Sequence, residues 1–346
     1  MKLLLSTVLS CSMVAHAQIL PQPVLQNLRA GIREVYNLDH DAAIRRFERM
    51  TQEQPRDPAG YAYLAWATWL KELAKLQELS IDRFADSDFF SNKQRPMPGL
   101  NEQTGVRIRE WNSKAQELAL ERWRANSIDQ GALFLLGFAY QTSASIEVSL
   151  RRSWYSAFRE GSKTFRYHRE LLKLNSEAHD ARLANGVYLY VAGSLRWVEK
   201  AVAIFIGYYG NRERGKQELE IAASKAQLAG DDARIILALI YAREQRFDAA
   251  LRHIGDLASR YPSNHLLRLE QSGLHLRRRD FDAAIRTYQD LLTAATRVEK
   301  SLVYNRLGVA HREKGDFVQA TGWFARVLAD RDASARSGTI ARLELG

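Results

Sequence analysis

Histidines, carboxylates and arginines are the side chains here that could do chemistry, and their spacing argues against most of it. His253 and His265 lack the interval that would set two metal ligands on one helical face. Asp82, Asp86 and Asp88 stand without the glycine and glutamate of a calcium loop. A single cysteine, Cys11, excludes a multi-thiolate metal site and a disulfide framework. The chain has no H-E-x-x-H, no G-x-S-x-G, no phosphate-binding glycine loop and no dinucleotide fingerprint. Forty acidic residues allow many accidental acid–base pairs, and no spacing singles one out. The expectation is a protein that is not an enzyme and needs no cofactor or metal. Nucleic-acid binding would need the basic runs Arg45-Arg46, Arg151-Arg152 and Arg277-Arg278-Arg279 on one face, and the last sits in a turn between paired helices, where charge is ordinarily solvated, so no nucleic acid is expected. The net charge of +10 suits an acidic partner or the anionic headgroups of a membrane surface.

The elements that would position such groups read as paired helices. Ala250-x3-Ile254, Ala284-x3-Tyr288 and Ala320-x3-Phe324 recur at intervals of 34 and 36 residues. Each small residue is preceded by a first-helix pattern, as in Leu237-Ala238-x2-Tyr241 and Tyr304-x2-Leu307-Gly308-x2-His311. His275 stands nine residues before Ala284, where Tyr241 and His311 stand before Ala250 and Ala320. Both histidines are therefore expected to pack between helices. The small residue lets two helix axes approach, and the larger one four positions on shares its face and fills the next groove. The first half repeats this less regularly, in His40-Asp41-Ala42-Ala43-x3-Phe47 with Pro55 and in Leu133-x2-Leu136-Gly137-x2-Tyr140. A helix is expected from about Ala59 to Leu79, and a loop over 80–103, which holds Pro96, Pro98 and Gly99.

These motifs and their period resemble the tetratricopeptide repeat. The resemblance implies an all-α, right-handed α-solenoid of antiparallel helix pairs, about twelve to fourteen helices in all. It also implies a concave groove lined by the first helix of each pair. On this register Ile235, Leu239, Leu269, Gly273, Asn305, Val309 and Arg312 face that groove. The family's carboxylate-gripping groove carries Asn where this chain has Leu239, Gly273 and Val309, so that clamp is absent. Asn305 and Arg312, seven apart and on one face, remain able to anchor a polar group of a peptide partner.

The tract from Gly186 through Gly193-Ser194-Leu195 to Ile206-Gly207-Tyr208-Tyr209-Gly210-Asn211 is the most apolar of the chain beyond its start. It resembles the glycine-bearing hairpin of the tetratricopeptide family associated with inclusion-body clearance and the mitochondrial outer membrane. An apolar helical hairpin inserted at 186–211 is thus expected. Its aromatics Tyr188, Tyr190, Trp197, Phe205, Tyr208 and Tyr209 would either seal the junction between two repeat halves or form a binding surface. Arg196, Glu199 and Lys200 interrupt the tract, and the uncharged runs beside them are shorter than the about 20 residues a spanning helix needs.

The beginning of the chain reads as an address. Met1-Lys2 is followed by an apolar run to Val14 and by Ala15-His16-Ala17, a small-x-small cleavage site. Export with cleavage near Ala17 is the expectation, and a lipoprotein anchored through Cys11 is the alternative. The layout that follows is a signal peptide over 1–17, irregular repeats over 18–185, the hairpin over 186–211, a regular array over 212–331 and a cap or tail over 332–346. The functional expectation is a non-catalytic interaction or assembly scaffold in the cell envelope. The alternatives are a carrier of a hydrophobic ligand or lipid using the hairpin and, third, an enzyme of unknown type.

Overall fold

The computed structural model describes residues 19–75, 102–151, 154–194, 210–293 and 299–345. The leader over 1–17, Cys11 and all but the end of the 80–103 loop lie outside these residues. Among the described residues there are fifteen α-helices and no strand. The first eight are α1 (Gln22–Tyr36), α2 (His40–Glu53), α3 (Pro58–Lys75), α4 (Glu102–Ala125), α5 (Gln130–Ile146), α6 (Trp154–Leu174), α7 (Ala181–Ser194) and α8 (Arg212–Lys225). The remainder are α9 (Gly230–Arg243), α10 (Phe247–Arg260), α11 (His265–Arg277), α12 (Phe281–Thr293), α13 (Lys300–Lys314), α14 (Phe317–Ala329) and α15 (Ala335–Leu345). A short π-helical segment, Glu147–Arg151, extends α5.

Short polar residues start many of these helices. Asp39, Asp129, Asn211, Asn264 and Asp316 each accept a backbone N–H from the first turn of α2, α5, α8, α11 and α14. Gly315, at φ +90°, ends α13 in the left-handed region, where a side chain would be strained.

Each helix packs on the next along the chain, and the closest contacts between helices two apart involve odd-numbered ones. The odd helices therefore form one row and the even helices the other, the arrangement of an α-solenoid. Even helices bury a narrow stripe. In α10, α12 and α14 this stripe is Ala250, Ile254 and Leu257, then Ala284, Tyr288 and Leu291, then Ala320, Phe324 and Val327. The three alanines thus sit in like surroundings, as the 34-residue period requires. The glycine of the first helix explains the aromatic of the second. A Cβ on Gly31 would lie 2.2 Å from the Phe47 ring, and one on Gly308 would lie 2.4 Å from the Phe324 ring.

The solenoid also curls on itself. Tyr36, at the end of α1, stacks on Tyr261 beyond α10 at 5.0 Å between ring centres. Its hydroxyl donates to Asp232 of α9 at 2.6 Å, and its carbonyl accepts from Asn264 at 2.8 Å. Arg29 of α1 donates to Gln227 at 2.8 Å. These contacts bring residues about two hundred positions apart in sequence side by side. Leu228 belongs to the same apolar cluster as Leu25, Leu28 and Phe134.

Candidate functional site

In a helical-pair solenoid the inner row is the surface that meets partners, and its state differs along this chain. In the first half the inner-row side chains turn onto one another. Ile32, Trp66 and Phe138, from α1, α3 and α5, are all buried. Tyr63 stacks on Phe138 at 4.3 Å, with Trp66 set edge-on to Tyr63 at 5.8 Å. What remains open at the centre is a void of about 10 Å³, the room of one water. The N-terminal groove is a core.

Polar groups border that void. His168 of α6 bonds the Phe134 carbonyl at 3.1 Å and stacks on the Phe134 ring. It fits because position 137 is glycine: a Cβ there would lie 2.0 Å from the imidazole. Burial pushes His168 down to about 4, so it is neutral at ordinary pH. Asp232 touches the void and is partly buried, and desolvation lifts its carboxyl to about 6 against the Tyr36 hydrogen bond, which favours the charged form. Asp231 beside it is held by Arg234 and Arg260 and accepts the Tyr261 hydroxyl. Burial, and then the Asp232 charge, raises Tyr36 well above its ordinary value.

In the second half the inner row stays accessible. Leu269 and Gly273 of α11 and Val309 of α13 are only partly covered. Leu269 leans on the cluster around Tyr288 and Leu307, and Val309 on the cluster around Phe324. Ile235 and Leu239 of α9 are likewise half-buried, against the cluster of α8 to α10. The structure brings Asn305 and Arg312 together, but on the chain's own last helix. Asn305 is buried and donates to the Ser337 carbonyl at 3.0 Å, while Arg312 pairs with Glu344. Both therefore hold α15 against α13 and do not face an open groove.

Tyr188 and Tyr190 are buried, and Tyr188 stacks on Phe165 at 4.2 Å. Trp197, Phe205, Tyr208 and Tyr209 lie outside the described residues. The two ends of that tract meet, since a Cβ on Gly210 would strike the Gly193 backbone nitrogen at 2.0 Å. The closure residues Tyr36, Asp231, Asp232, Tyr261 and Asn264 carry no local motif. The available hint was the pair Asp231-Asp232 at the head of a helix whose middle, Ile235 to Ala242, is apolar apart from Tyr241.

Among the described residues, no helix is long and apolar enough to cross a membrane, and no group of three or more His, Cys, Asp or Glu could hold a metal ion. The tetratricopeptide-repeat family profile matches residues 269–336, from α11 to the start of α15. No curated protein matches the chain. Solved structures to which it is similar include a thermophilic tetratricopeptide-repeat protein of Thermus thermophilus, with 18% identity, covering 73% of this chain and 99% of that one at a TM-score of 0.40. A tetratricopeptide-repeat protein of Parabacteroides merdae shares 14% identity over 94% of this chain and 100% of its own, at a TM-score of 0.35. Yeast Tom70 shares 12% over 93% and 88%, at a TM-score of 0.34. The family match lies on the regular helix pairs, so the stretch over 269–336 is similar to tetratricopeptide repeats, and the helix pairs before it share the all-helical solenoid architecture.

Proposed function

We propose that the chain is a non-catalytic interaction scaffold that seats an apolar segment of a protein partner on the inner row of α11 and α13. The observation that carries this reading is the contrast between the halves. The first half fills its groove with Trp66, Phe134 and Phe138, whereas the second leaves Leu269, Gly273 and Val309 partly uncovered. A row of apolar side chains interrupted by a glycine offers a partner both contact area and a notch. The leader pattern of residues 1–17 supports placing this scaffold in an exported compartment.

Site-specific photo-crosslinking tests the reading. A photoreactive residue at Leu269 should yield one discrete protein adduct in cells, and the same residue at Arg252, on the exposed side of α10, should not. Equal adducts from both positions, or lipid in place of protein at Leu269, would overturn it. Mass spectrometry of the purified N-terminus tests the compartment. Gln18 is expected; an intact Met1 would exclude export by cleavage, and an acylated Cys11 would replace it with a lipid anchor.

A further inference from the structure

A second cavity, of about 330 Å³, lies between the start of α1, the loop before α7 and the loop before α9. Its volume falls in the range of small-molecule sites, and its lining combines an apolar wall with a few polar groups, as such sites do. Ile19, Leu20, Leu25 and Phe134 supply the wall. Asp180 supplies the buried charge, and it lines the water-sized central void as well, which places it at the inner end.

The chemistry of Asp180 selects the guest. One carboxylate oxygen, Oδ1, accepts the backbone N–H groups of Leu228 at 2.7 Å and Ala229 at 2.8 Å. It thereby caps α9, whose own N-cap residue, Ala229, has no capping side chain. The other oxygen, Oδ2, has no protein donor among the described residues. Glu177, exposed at the rim of the lining, is partnered by His179 at 3.0 Å. Lys225 is the lining's lysine, and it is exposed at the end of α8. The buried charge of the lining is therefore that of Asp180, whose Oδ2 is the acceptor left for a guest, and a buried charge is stabilised by a paired donor. With no metal-ligand group of three gathered among the described residues, an organic cation is the fitting guest.

We propose that this cavity binds a primary ammonium carried on an apolar body, with the ammonium on Asp180 Oδ2 and the body against Leu20, Leu25 and Phe134. Two sources share that chemistry, a free hydrophobic amine and the N-terminus of an apolar peptide. The site lies apart from the inner row of α11 and α13 and does not depend on the partner reading above.

Titration calorimetry on the full mature chain tests the proposal with three probes: phenethylamine, leucyl-leucinamide and N-acetyl-leucyl-leucinamide. Binding of either free amine is expected, with the acetylated peptide at least tenfold weaker. Saturation by phenethylamine alone assigns the site to small amines, and tighter binding of the free peptide assigns it to a chain terminus. Equal affinity for the acetylated and free peptides, or no heat from either amine at millimolar concentration, would overturn it. Asp180→Asn should weaken the amine at least tenfold while the far-ultraviolet dichroism stays native. Unchanged binding in a folded Asp180→Asn protein would also overturn it. If that variant fails to fold, the comparison of acetylated with free peptide on the unmodified chain still decides.

Discussion

The two halves of this solenoid are built from the same unit and put their inner rows to opposite uses. Phe138 follows Gly137 on α5, and Val309 follows Gly308 on α13, so the two side chains hold equivalent positions. Phe138 is buried under Tyr63 and Trp66, whereas Val309 is only partly covered. Side-chain size is one cause, because aromatic residues bury roughly 150–250 Å² each and hold facing helices together. The other is the polar stitch from Tyr36 to Asp232 and Asn264, which fixes α1 across the row. A repeat array thus becomes a core or a groove according to the residue after its small position.

Truncation at the equivalent positions should separate the halves most widely. Phe138→Ala removes a buried ring and is expected to cost about 3–5 kcal/mol. Val309→Ala, at a partly buried position, should cost under about 1.5 kcal/mol. Denaturant midpoints at constant slope would check both, and similar losses would erase the distinction drawn here. The glycines make a parallel test. Gly137→Ala drives a methyl into the His168 ring and should cost about 1–3 kcal/mol or more. Gly322→Ala, on an open face of α14 where nothing lies within 4 Å, should be neutral or stabilise by about 0.4–1 kcal/mol.

The closure can next be probed through pH. Asp232 keeps its proton up to about pH 6 in the folded chain, whereas its ordinary value is 3.8. Between these values the folded state binds more protons than the unfolded one, so this carboxyl weakens the fold as pH rises through the window. Asn cannot ionise and can still accept from Tyr36. Asp232→Asn should therefore raise stability by about 1–3 kcal/mol at pH 8, a gain that fades toward pH 4. His168 works in the opposite sense. Its folded value is about 4 against 6.5, so stability falls as acid protonates the unfolded chain below pH 6.5. The two trends offset each other in the native chain, and the variant should show the histidine's acid loss alone. Thermal melts from pH 8 to 4 would settle the matter, and parallel curves for the two proteins would refute it.

Much of the second half was legible in the sequence because its signals are local. Ala250, Ala284 and Ala320 mark helix crossings through a period that needs no knowledge of distant contacts. The all-helical solenoid follows from them. Fifteen helices stand among the described residues, against the about twelve to fourteen expected. The fate of the groove was not legible. Asn305 and Arg312 sit on one face as their spacing demands, but whether that face meets a ligand or α15 depends on the chain thirty residues on. Nor could any motif announce that Tyr36 would find Asp232 and Tyr261, since curvature sums over many pairs. The first half needed long-range geometry.

The smallest effect on stability should accompany the largest effect on partner capture. Leu269 is half-buried, so Leu269→Asp loses part of one apolar contact and leaves the charge able to reach water. A cost under about 1.5 kcal/mol is expected, far below that of a charge set at Phe138. The same substitution puts an unpaired carboxylate in the middle of the inner row, where an apolar partner segment would have to desolvate it. Partner recovery should then fall at least tenfold, while Arg312→Ala, whose side chain is engaged with Glu344, leaves recovery within about twofold. The reverse ranking would mean that the partner meets the α13–α15 edge, and the open groove would lose its role.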